Sequence, residues 1–78
     1  MSTTWTLVVE GLSVLALDLL VREAQRWGCE TDLAGYVLTV SGENALRVTA
    51  SAVMCGVVAR ATEVHTRTVI ARPMVGEA

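Results

Sequence analysis

The chain is poor in the residues that build several common kinds of site. It has two cysteines, one histidine, one proline, no phenylalanine and three aromatic residues, which are Trp5, Trp27 and Tyr36. Two cysteines exclude a disulfide scaffold, and they have no neighbouring ligands at zinc-site spacing. Lysine is absent, all six basic residues are arginine, and the net charge is −2. We therefore predict no nucleic-acid partner, no metal and no cofactor.

Long uncharged apolar runs are also missing. Glu10 and Asp18 interrupt the apolar segment 7–21, and only 12 residues separate Arg47 from Arg60. A membrane-spanning helix needs about 20 largely uncharged residues. The first residues lack the basic region of a secretory signal. These absences predict a soluble, cytoplasmic protein with no membrane partner.

Apolar residues, in contrast, are abundant. They make up 53% of the 78 residues, whereas charged residues make up 18%. A chain of this length has room for one hydrophobic core, so we predict a single domain over residues 1–78. Pro73 ends the last periodic segment, which predicts a loose tail over 73–78.

The apolar periodicity alternates between about two and about 3.6 residues. It predicts strands over 4–10, 29–33, 36–41 and 62–72, with helices over 14–27 and 44–61. Ser13 and Gly28 are placed to cap the first helix. The resulting β-α-β-β-α-β order resembles the ferredoxin-like fold, an α+β sandwich. We expect a four-stranded antiparallel sheet with both helices on one face, and no motif of a particular family accompanies this resemblance.

Both predicted helices carry more apolar residues than one core stripe requires. In the first helix, Leu15 and Leu19 project among charged residues. In the second helix, the core stripe is predicted to consist of Leu46, Ala50, Val53, Met54 and Val57. The far side is also apolar and forms a seam of small residues, partly at heptad spacing, that suits close helix–helix contact. Its members are Ala45, Val48, Ala52, Cys55, Val58 and Ala59.

This surplus predicts a non-enzymatic interaction module that associates with itself through Leu15, Leu19 and the seam. A second protein is a further expected partner, because small size and arginine-only composition suggest a phage or actinobacterial accessory protein that binds a host protein. The alternative is that these apolar residues simply lie on a solvated surface, since apolar atoms cover much of any protein. A weaker alternative is a peripheral membrane protein that uses the second helix.

One group of polar residues suggests a different function. Glu10 projects from the first strand, and His65 and Arg67 project from the last, which we expect to pair with the first. An imidazole oriented by a carboxylate can perform acid–base chemistry, and an adjacent arginine can hold a small anion. The alternative is a set of ordinary cross-strand polar pairs. No nucleophile or glycine-rich loop accompanies these residues, so catalysis is the secondary hypothesis.

Overall fold

A computed structural model describes residues 3–58 and 60–72. The elements are β1 Trp5–Glu10, α1 Val14–Arg26, β2 Glu30–Ala34, β3 Val37–Gly42, α2 Ala45–Met54, β4 Arg60–His65 and β5 Thr68–Arg72. The predicted mixed α+β class with two helices is confirmed. The predicted tail 73–78 lies outside the described residues.

The helix ends follow local signals in the sequence. The Ser13 hydroxyl accepts a hydrogen bond from the Ala16 backbone N–H at 3.2 Å and caps the start of α1. Gly28 follows this helix with a φ of +74°, a conformation that glycine adopts at little cost. The second helix ends at Met54, well before the predicted residue 61. It ends there because Gly56, at φ +78°, takes the same role as Gly28.

The sheet has five strands in the order β2-β3-β1-β5-β4. Strand β3 lies between β1 and β2 and is antiparallel to both, as the first half of the predicted topology requires. The predicted four-stranded ferredoxin-like sheet is nevertheless wrong in strand count and order. The single predicted strand 62–72 is a hairpin, in which β5 runs parallel to β1 and β4 forms the sheet edge.

The hairpin turns at Thr66 and Arg67. Arg67 has a φ of +58°, and its carbonyl accepts a hydrogen bond from the Thr6 N–H at 2.8 Å. A continuous strand over 62–72 would extend about 36 Å, nearly twice the length of the six-residue β1, and its excess would have no partner. The turn contains no glycine, proline, asparagine or aspartate, so the usual sequence signals for chain reversal are absent.

Side-chain alternation gives the sheet two distinct faces. Leu7, Val9, Leu38 and Val40 lie on the face that the helices cover, where they form the core with Leu17, Leu20, Ala24, Val48 and Ala71 among others. The opposite side, here called the open face, carries the alternate residues of every strand. These are Thr6, Val8 and Glu10 of β1, Glu30, Asp32 and Ala34 of β2, Val37, Thr39 and Ser41 of β3, Arg60, Thr62 and His65 of β4, and Thr68, Ile70 and Arg72 of β5.

Candidate functional site

Two leucines of α1 are exposed, as the sequence predicts. Leu15 is 76% exposed and Leu19 is 55% exposed, whereas Leu17 and Leu20 of the same helix are buried. The exposed pair are four residues apart, so they lie one turn apart on the same side of the helix. This geometry leaves two large apolar side chains in solvent.

Helix α2 faces the opposite way from the prediction. Ala45, Val48 and Ala52 are at most 3% exposed and belong to the core, and Val58, just after the helix, is 1% exposed. The predicted seam of these residues is therefore wrong as an external surface. Cys55 is exposed, and Ala59 lies outside the described residues. The predicted core stripe is instead exposed or half-buried, and it consists of Leu46, Ala50, Val53, Met54 and Val57.

The small residues explain this orientation. Ala45 and Ala52 flank Val48 along one side of α2, and short side chains allow a helix backbone to lie close to the sheet beneath it. Thr49 is also on this buried side, where its hydroxyl donates to the Ala45 carbonyl at 2.9 Å. Burial of that hydroxyl therefore leaves no unsatisfied donor.

Arg47 is the residue that could have indicated the orientation from sequence. On a helical wheel, it lies about 75° from the centre of the predicted core stripe and about 150° from the centre of the buried one. In the structure its guanidinium lies 5.2 Å from the centroid of the Trp27 ring. The Trp27 indole N–H also donates to Glu23 Oε2 at 2.9 Å, and the Asn44 side-chain amide donates to the Trp27 carbonyl at 3.0 Å. These contacts join the end of α1 to the start of α2.

A shallow groove of about 180 Å3 lies between the two helices. Leu19 and Cys55 stand on opposite sides of it, so the exposed leucines continue directly into the groove. Its lining is mainly apolar and consists of Leu19, Leu20, Glu23, Ser51, Ala52, Cys55 and Val57. The helix layer therefore presents exposed apolar side chains beside an apolar depression.

The polar residues singled out on the sheet do not form one site. Glu10 lies at the end of β1, and its carboxylate is 3.2 Å from the Arg72 guanidinium. His65 pairs with Thr68 of β5, and Thr68 in turn pairs with Thr6 of β1. The carbonyl of the turn residue Arg67 accepts a hydrogen bond from the Thr6 N–H. Four residues of extended chain, about 13 Å, separate Thr6 from Glu10. The predicted constellation is wrong because the hairpin turn lies beside Thr6, so His65 and Arg67 are at the opposite end of β1 from Glu10.

The two cysteines have contrasting environments. Cys29 is 8% exposed and lies against Gly42, whereas Cys55 is exposed at the groove. Burial raises the pKa of the Cys29 thiol, and a hydrogen bond from the Asn44 backbone opposes this effect. Among residues 3–58 and 60–72, no three His, Cys, Asp or Glu side chains gather as metal ligands would.

Thiol labelling should separate the two cysteines. We expect iodoacetamide to modify Cys55 at least about 100-fold faster than Cys29 in the folded protein, because the buried thiol must await an opening of the structure. Peptide mass spectrometry at low protein concentration measures both rates in one sample. In concentrated urea the two rates should converge, and equal rates without urea would contradict the burial of Cys29.

Neither helix within the described part of the chain is long and apolar enough to cross a membrane. Comparisons with protein-family models, with curated proteins and with solved structures give no significant match.

Proposed function

We propose that this protein is a small, non-enzymatic interaction domain that associates with a second copy of itself. The contact is the helix surface, defined as Leu15 and Leu19 of α1, Cys55 at the end of α2, and the groove between the helices. The exposure of Leu15 and Leu19 is the observation that supports this proposal most strongly. Their removal from water requires a partner, since the core already holds the other leucines of this helix.

The position of Leu15 next to the groove favours a second copy of the chain as the partner that fills the groove. Leu15 projects one turn before Leu19, and Leu19 itself lines the groove. A two-fold axis near Leu19 would place the Leu15 side chain of each copy over the groove of the other. One surface patch then supplies both the apolar side chain and the depression that receives it.

The estimated free energy of association is consistent with a reversible dimer. Burial of four leucines, two from each copy, contributes roughly 6–12 kcal/mol. Association costs about 4–15 kcal/mol in lost translational and rotational freedom. We therefore expect self-association whose extent depends on protein concentration.

Replacement of Leu15 and Leu19 by glutamate should weaken this contact by at least about 100-fold, because four charges would enter the apolar interface. Analytical ultracentrifugation over a concentration series measures the change. The matched control is Val14→Glu, since Val14 is 69% exposed on the same helix but does not line the groove. Equal effects of the double variant and the control on association would contradict the proposed surface.

A further inference from the structure

The centre of the open face is uncharged and consists mainly of β-branched side chains. Seven of its uncharged side chains are β-branched, and they are Thr6, Val8, Val37, Thr39, Thr62, Thr68 and Ile70. His65 lies beside Thr68 at the β4 edge of the same face. Val8 and Ile70 are direct neighbours on β1 and β5 at the middle of this face. Branched side chains have few rotamers to lose when a partner covers them. A second flat surface can therefore cover this centre at little cost in side-chain entropy.

Charges of opposite sign lie at the two margins of this face. Glu30 and Asp32 project from β2 at one margin, whereas Arg60 and Arg72 project from β4 and β5 at the other. The two arginines are direct cross-strand neighbours, an arrangement that is unfavourable without a counter-charge. Within the described residues Glu10 reaches Arg72, and no carboxylate lies within salt-bridge distance of Arg60. The arginine margin can thus accept further negative charge.

We infer that the open face packs against the open face of a second copy. The two-fold axis of this contact brings the acidic β2 margin of each copy over the basic β4–β5 margin of the other. A two-fold axis perpendicular to the strands would instead place Asp32 of one copy over Asp32 of the other, and the like charges would repel. This inference extends the proposed function, because the partner is again a second copy, but it uses the other layer of the molecule.

The area of the open face indicates a weak contact. Five strands about 4.8 Å apart and about 17 Å long give a face of roughly 400 Å2. Two such faces together give about 800 Å2, which is below the roughly 1,200–2,000 Å2 of stable specific interfaces and within the size of weak, transient contacts. We therefore expect a dissociation constant in the micromolar range or weaker.

The two contacts together have a consequence that neither has alone. The helix surface and the open face lie on opposite layers, so each copy can bind a different neighbour on each side. The chain should then assemble as a string of alternating contacts. Its average mass should continue to increase with concentration beyond that of a dimer.

The experiment isolates the open face by starting from the Leu15→Glu/Leu19→Glu variant. We expect this variant to remain dimeric at high concentration, as measured by sedimentation equilibrium. Addition of Ile70→Lys, at the centre of the face, should weaken the dimer at least 100-fold. The matched control, addition of Met54→Lys at an 86% exposed position of α2, should leave it unchanged. A starting variant that is monomeric at the highest concentration would overturn the inference.

Charge reversal tests the orientation and does not depend on the central substitution. Asp32→Arg and Arg60→Glu, each placed separately in the same starting variant, should weaken the dimer about ten-fold. An equimolar mixture of the two should recover the original affinity, because each acidic margin then faces a basic one. If neither charge variant changes the affinity, the acidic margin of one copy does not lie over the basic margin of the other. Since both positions are exposed, this test also decides the question if Ile70→Lys fails to fold.

The outcomes separate this inference from the proposed function. If Leu15→Glu/Leu19→Glu does not change association of the otherwise unaltered chain, but Ile70→Lys abolishes it, the helix contact is wrong and the open-face contact stands. The reverse pattern would retain the helix contact alone.

Discussion

Val48→Asp is expected to unfold the protein, whereas Met54→Asp on the same helix is expected to leave it folded. Val48 is 0% exposed beneath α2, so an aspartate there would place an unpaired carboxylate among apolar side chains. The cost should be at least about 4 kcal/mol, comparable with the roughly 4–12 kcal/mol that a 78-residue domain has in total. Met54 is 86% exposed, and the same substitution there should cost less than about 1 kcal/mol.

Far-ultraviolet circular dichroism and urea denaturation measure both effects. The pair of variants also decides between the two orientations of α2. If the seam containing Val48 faced outward, its substitution would be tolerated and that of Met54 would be severe. Stability losses in that reversed order would contradict the structure.

Leu38→Ala is expected to remove about 2–5 kcal/mol of stability, because Leu38 is 0% exposed on a central strand and its truncation leaves a cavity. Its cross-strand neighbour Leu33 supplies the matched control. Leu33 is 52% exposed on the edge strand β2, so Leu33→Ala should cost less than about 1 kcal/mol. The two changes are chemically identical and differ in burial alone.

Equilibrium unfolding in urea gives both free energies of unfolding. A similar loss at the two positions would mean that Leu33 is covered on the helix side of the sheet, which would contradict its 52% exposure.

Local features were predicted correctly from the sequence because their signals are local. A serine one residue before the first helix and a glycine after it define α1, and both caps act within one turn of the chain. The two-residue periodicity similarly predicts β1 and the hairpin of β2 and β3. The exposure of Leu15 and Leu19 also follows from their position among charged residues.

The predictions that were wrong required a choice between two structures of similar local energy, namely which side of α2 is buried and where the last strand ends. Both sides of α2 are apolar, so burial of either side removes a comparable area from water, and periodicity alone does not choose between them. The small side chains of Ala45 and Ala52 decide the choice only when a sheet lies beneath them. The length of a strand likewise depends on its neighbours, and the turn at Arg67 carries no conventional turn residue.

The amino-acid sequence by itself determined the α+β class, the ends of the first helix, the β2–β3 hairpin and an excess of apolar residues over what a small core requires. Only the tertiary structure decided which side of α2 is buried, that the last segment folds back as β4 and β5, and that Glu10 is separated from His65 and Arg67. The physical reason is range: caps and periodicity act between residues close in the chain, whereas the choice of buried side and of strand partner depends on packing between segments far apart in it.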